Sequence, residues 1–137
     1  MSKFLKKYWL SILFIGIIFF LCFMNTSSLP KSPMKNFDKI VHILLYLGLT
    51  GVIFFDNTSY LRFPITRKRI FFGSVLFPIA LGGIIEIMQA DLTAYRSGDW
   101  FDFLSDAVGA FIGWGIALLI NRYFLRRKIK KYPKGDL

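Results

Sequence analysis

Four long apolar runs, separated by short polar stretches, dominate the chain. They are roughly Tyr8–Met24, Phe37–Phe55, Ile70–Gln89 and Phe103–Ile120. Each approaches the ~20 mostly apolar residues that a helix needs to cross a bilayer. A lipid-facing β-strand would alternate apolar and polar residues, whereas these runs are apolar on nearly every side. The pattern therefore predicts an all-α polytopic membrane protein with four transmembrane helices. Little chain is left over, so a single domain spans 1–137. Pro78 lies inside the third run and is expected to kink it, freeing a backbone carbonyl near Ser74. Asn36 is placed to cap the second helix.

Composition and charge add direction. The 137 residues are 55% hydrophobic and 18% aromatic, with a net charge of +10. Basic residues stay on the cytoplasmic side of a membrane when counted over short loops. Lys3, Lys6 and Lys7 precede the first run. Arg62, Arg67, Lys68 and Arg69 fall in the second loop, taken as Asp56 to Arg69. Arg122, Arg126, Arg127, Lys128, Lys130, Lys131 and Lys134 follow the fourth run. The other four of the 18 basic residues, Lys31, Lys35, Lys39 and Arg96, fall on the opposite side. Both termini are thus expected in the cytoplasm. Tyr8, Trp9, Tyr123 and Phe124 would sit at the inner interface, with Trp100 and Phe101 at the outer one. Trp114 lies mid-span and reads as packing. The basic tail reads as a topology determinant rather than a nucleic-acid site.

The first run has a basic flank but no small-residue cleavage pattern in Phe20-Leu21-Cys22-Phe23-Met24-Asn25, so a retained helix is expected. Cys22 is the one cysteine and can form no internal disulfide.

Against this basic background, six of the eight acidic residues gather at two junctions on the outer side: Asp38, Glu86, Asp91, Asp99, Asp102 and Asp106. The single histidine, His42, lies with them. Ionisable groups at membrane depth are costly and by default mark a functional site. Helical spacing shows which can meet. Asp38, His42 and Tyr46 fall at i, i+4 and i+8 on one face of the second helix. Glu86 and Gln89 share the outer end of the third, one turn above Gly82. Asp102, Asp106, Gly109 and Gly113 share one face of the fourth, and Gly109-Ala-Phe-Ile-Gly113 is a GxxxG that admits a close neighbour. That face therefore docks inward and carries Asp102 and Asp106 with it.

Quieter roles exist for most of these. Asp99 suits an N-cap with Asp102 at N3, and Asp38 suits the positive end of a helix dipole. Tyr46 suits core packing with a satisfied hydroxyl, His42 a hydrogen-bonded interior residue, and Arg96 an ordinary loop cation. Glu86, flanked by apolar residues, fits a structural role least and needs a partner such as Arg96, His42 or a proton.

Asp38-Lys39-Ile-Val-His42-Ile-Leu-Leu-Tyr46 resembles the D-K-x-x-H-x-x-x-Y signature of VanZ-like membrane proteins. Glu86-Ile-Met-Gln89, then Arg96-Ser-Gly-Asp99-Trp-Phe-Asp102 and Gly109-Ala-Phe-Ile-Gly113, is similar to the family's second half. The motif-bearing part covers about 37–115. Asp106 stands where the family pattern usually has asparagine. The resemblance implies a small bacterial inner-membrane protein with four helices. The family takes its name from a member associated with low-level teicoplanin resistance, and brings no settled mechanism.

Two functional classes follow. In the first, the outer polar cluster (Asp38, His42, Tyr46, Glu86, Gln89, Arg96, Asp99, Asp102 and Asp106) is a non-enzymatic cleft. It binds the headgroup of a lipid-linked envelope precursor or glycopeptide, with the lipid tail along the helices. Arg96, Lys35 and Lys39 would meet phosphate. In the second, an intramembrane enzyme uses His42 as general acid or base beside Glu86. No nucleophile elbow or phosphate loop is present, and Ser97 reads as a turn residue. No cofactor and no metal site are expected, since one histidine without an available cysteine argues against zinc. A third reading has the polar groups only fasten the helices together. A transporter is disfavoured, because no polar path continues inward past Tyr46 and Thr50.

Overall fold

A computed structural model describes residues 3–25, 36–59, 67–92 and 99–131. Apart from short flanking stretches these are helical: α1 (Lys3–Phe23), α2 (Phe37–Ser59), α3 (Arg67–Phe71), a π-helical turn (Phe72–Leu76), α4 (Phe77–Leu92) and α5 (Trp100–Lys131). Four segments are long and apolar enough to cross a membrane: Phe4–Phe23, Phe37–Thr58, Phe72–Leu92 and Trp100–Tyr123.

Hydropathy placed every span but cut most of them short. The expected second loop began at Asp56, yet α2 continues through Asp56, Asn57 and Thr58. The Thr58 hydroxyl donates to the Phe54 carbonyl at 2.8 Å, supplying a bond that the last turn lacks. Asn36 does not act as an ordinary cap. It takes a left-handed φ of 62°, tolerable for asparagine, and its carbonyl accepts from the Ile40 N–H at 3.4 Å.

Pro78 bears out the expectation of a local irregularity and gives it a form. Its ring would clash with the Ser74 carbonyl in a regular helix, and it has no N–H to offer. The wide turn Phe72–Leu76 lies just before it, with the Phe77 N–H donating to the Phe72 carbonyl. The break is thus absorbed as a π-turn inside one rod running from α3 to α4.

Helix α2 is the central pillar, packed against α1, α4, the π-turn and, most extensively, α5. Its approach to α5 is so close that a Cβ at Gly109 would overlap the Ile43 carbonyl and one at Gly113 the Leu47 carbonyl. The GxxxG face therefore docks on α2, as its spacing predicted. Ile18 and Cys22 of α1, Tyr46, Leu49 and Ile53 of α2, and Ile85 of α4 form the apolar core. Leu13, Phe20, Leu44, Ile87 and Leu119 point outward and exposed, as they would toward acyl chains. Trp100 and Phe101 at one end, with Trp9 and Tyr123 at the other, are exposed aromatics suited to two interfacial belts.

Candidate functional site

The polar side chains assemble where α2 begins, α4 ends and α5 begins. Asp99 starts α5 as its N-cap: Oδ1 accepts from the Phe101 N–H at 2.9 Å, while its carbonyl receives the Asp102 and Phe103 N–H groups. Its other carboxylate oxygen receives Lys39 Nζ at 2.9 Å. Together the Lys39 and Phe101 bonds hold the Asp99 carboxyl below the usual carboxylate range. Its backbone N–H donates to Glu86 Oε2 at 3.0 Å, which ties the end of α4 to the start of α5. The capping role and membership of the cluster are therefore compatible.

Lys39 is the hub of an outer layer. Its ammonium contacts Asp99 at 2.9 Å, Asp102 at 3.0 Å and Asp38 at 3.3 Å. With its donors directed to three carboxylates, it is placed to neutralise them rather than to meet a phosphate. Asp38 is exposed at the rim, and Asp91 also remains exposed. Arg96, Lys35 and Ser97 lie outside the described residues.

One turn deeper is an inner layer. His42 Nδ1 lies 2.8 Å from Asp106 Oδ1, and Nε2 lies 4.0 Å from Asp102 Oδ2. His42, Glu86 and Asp106 are all buried, with one potential ligand atom from each within 4.8 Å of the others. Each comes from a different helix: α2, α4 and α5. The spacing that placed Asp106 inward is confirmed, since it is 1% exposed. Gly82 makes room for it, because a Cβ there would lie 2.5 Å from Asp106 Oδ2. Tyr46, on the same face of α2 as His42, is fully buried. Its hydroxyl has no hydrogen-bond partner among the described residues, so the expected satisfied hydroxyl is not found there. Gln89 points elsewhere: its Nε2 donates to the Cys22 carbonyl at 2.7 Å, clasping α1 to α4.

Beside the inner layer a groove of about 200 Å³ opens between α4 and α5. It is lined by Gly83, Glu86, Ile87, Ala90, Asp99, Trp100 and Phe103. Two carboxylates lie in an otherwise apolar and aromatic wall, and exposed Ile87 and Trp100 mark its lateral edge. Such a shape suits an amphiphile entering from the side.

A second polar cluster lies toward the opposite end of the bundle. Asp56 Oδ2 accepts from the Ser11 hydroxyl at 2.6 Å and the Ser11 N–H at 3.2 Å. Asn57 accepts from the Tyr8 hydroxyl at 2.9 Å and donates to Ser74 Oγ at 3.4 Å. These bonds converge from a break in α1 at Tyr8 (φ −109°, ψ 21°) and from the π-turn. The isolated serines in two apolar runs were the available signal. Between the clusters, α2 buries Leu49 and Ile53 beside Thr50, so past Thr50 buried polar groups on α2 resume only at Asp56.

The chain matches the VanZ/LLP1 family model over residues 2–121. It is similar to the uncharacterized protein C11E3.10 of Schizosaccharomyces pombe, with 30% identity over 103 residues, 74% of this chain and 57% of that protein. The chain therefore spans little more than half the length of this curated relative. No solved structure matches it. A match covering nearly the whole chain, joined to four membrane-spanning helices, makes this protein a member of the VanZ/LLP1 family.

Proposed function

We propose that this multi-pass membrane protein binds the polar headgroup of an envelope amphiphile in the groove between α4 and α5, on the non-cytoplasmic side. The groove's two carboxylates carry the reading. Glu86 and Asp99 line an apolar slot, so a ligand there must bring hydrogen-bond donors, either hydroxyl, amide or amine, together with an apolar body. Trp100 and Phe103 supply stacking faces for a sugar or ring. A lipid-linked saccharide or peptide precursor and a glycopeptide such as teicoplanin share this chemistry. Lys39 ties the start of α2 to the start of α5 by holding Asp99 and Asp102. The bias of basic residues to the termini and the second connection supports a cytoplasmic location for both ends. By the resemblance, the membrane is the bacterial inner membrane.

Mass spectrometry of amphiphiles co-purifying with the protein in nanodiscs tests the binding. Wild type is expected to retain a donor-rich lipid precursor or, after incubation, teicoplanin. Glu86→Gln should lose most of it while inserting normally. Identical retention by wild type and a folded Glu86→Gln protein would sink the reading.

One geometric fact favours a catalytic alternative. Asp106 fixes His42 at 2.8 Å through one ring nitrogen, the arrangement by which a carboxylate orients a general base. In that case purified protein would turn over labelled lipid precursor, and His42→Ala would abolish turnover.

A further inference from the structure

We propose that His42, Glu86 and Asp106 form a site for a divalent metal ion of borderline hardness, of the Mn²⁺ or Zn²⁺ type. The inner and outer layers of the cluster differ in what they enclose. The outer trio of Asp38, Asp99 and Asp102 surrounds a cation of its own, the Lys39 ammonium. The inner trio joins two carboxylates to an imidazole, a frequent metal ligand. One nitrogen and two oxygens suit Zn²⁺ or Mn²⁺ better than the all-oxygen preference of Ca²⁺ or Mg²⁺.

The geometry is close to what coordination requires. Metal–nitrogen and metal–oxygen bonds of about 2.0–2.2 Å put neighbouring donors about 3–4 Å apart. The three potential ligand atoms lie within 4.8 Å of one another, so side-chain adjustment of about 1 Å brings even the widest separation into range. All three residues are buried, at 4%, 7% and 1% exposure. Three helices each give one ligand, so the site exists only in the assembled bundle.

A separate observation points to the same spot. The Tyr46 hydroxyl is fully buried, has no hydrogen-bond partner among the described residues, and lies one turn from His42 on the same face of α2. A buried hydroxyl without a partner is costly. A ligand carboxylate or a metal-bound water would give it one. Gly82 contributes space, presenting bare backbone to Asp106.

The site shares Glu86 with the groove, but His42 and Asp106 do not line it, so Asp106→Asn separates metal binding from the headgroup reading. The full-length protein, stripped with chelator and held in nanodiscs, would be titrated with Mn²⁺ and followed by its electron paramagnetic resonance signal. Zn²⁺ and Mg²⁺ would serve as competitors. Wild type is expected to bind one Mn²⁺ per chain, displaced by Zn²⁺ far more readily than by Mg²⁺. Asp106→Asn, an amide of the same shape, and Glu86→Gln should each weaken binding by at least about tenfold, the lower range seen even for outer partners of metal ligands. Tyr46→Phe should weaken it less, and Asp38→Asn should leave it unchanged. No stoichiometric binding by folded wild type would overturn the assignment on its own. Affinity that falls with Asp38→Asn but survives Asp106→Asn and Glu86→Gln would overturn it equally.

Discussion

Alanine at Gly113 would measure how strictly the contact between α2 and α5 governs the site. An added Cβ would lie 2.5 Å from the Leu47 carbonyl oxygen and 3.0 Å from its Cα, whereas ordinary contact begins near 3.4 Å. The obstacle is backbone, so no rotamer change relieves it, and α5 must withdraw by about 0.9 Å. Carried along the helix, that displacement would stretch the 2.8 Å His42–Asp106 contact beyond hydrogen-bonding range. Overpacking costs about 1–3 kcal/mol, and the broken buried bond adds about 1–3 kcal/mol. Alanine's helix propensity returns about 1 kcal/mol. The net expectation is a loss of roughly 1–5 kcal/mol. Gly115→Ala is the matched control, because its Cβ would meet nothing within 4 Å and should be neutral or stabilising by up to about 1 kcal/mol. Equilibrium unfolding in bicelles compares the two. Equal stability for Gly113→Ala and Gly115→Ala would refute the close-packing argument.

Three other outcomes follow from the same structure. Ser11→Ala removes the 2.6 Å hydroxyl bond to buried Asp56 and should cost about 1–3 kcal/mol in unfolding; an unchanged midpoint would mean Asp56 is satisfied without it. Asp99→Asn keeps a capping oxygen but removes the charge beside Lys39. Since the folded Asp99 carboxyl lies below its ordinary value of 3.8, its contribution is present above that pH and is lost as pH falls through the lower folded value. Wild type should therefore lose more stability on acidification than Asp99→Asn, and parallel acid profiles would contradict this. Gln89→Leu breaks the 2.7 Å clasp to the Cys22 carbonyl, at about 0.6 kcal/mol for a membrane hydrogen bond. It should speed maleimide labelling of Cys22, which is 2% exposed; an unaltered labelling rate would show that the clasp does not hold α1 in place.

The spans and the inward faces of α2 and α5 were legible because membrane helices carry their instructions locally. A run of apolar residues sets length, and small residues at four-residue spacing set the docking face. His42, Tyr46 and Asp106 were found inside by that periodicity alone. What periodicity does not carry is pairing between helices. Asp99 was read as either cap or cluster member, yet its two carboxylate oxygens and its N–H let it be both. Lys39 was read as a cation that meets phosphate because its contacts with Asp99 and Asp102 depend on where α5 starts. Asp56 was assigned to a loop because hydropathy falls at Phe55, whereas Ser11, 45 residues earlier, gives the carboxylate a buried place in the helix. The donor set of His42, Glu86 and Asp106 needed three helices in register, which no count of histidines or cysteines shows.

The bond between His42 and Asp106 joins residues 64 positions apart, and this has a consequence for biogenesis. Helix α2 enters the membrane with its imidazole well before α5 is synthesised. Until α5 arrives, neither His42 nor Glu86 has its partner from that helix, Asp106 or the Asp99 N–H. The earlier helices therefore lack these closing bonds during synthesis, and the final span completes the fold. A chain stalled before α5 would hold His42 in the bilayer without the Asp106 carboxylate that meets it in the finished bundle. The same cluster that shapes the mature protein thus marks whether its synthesis reached the last helix.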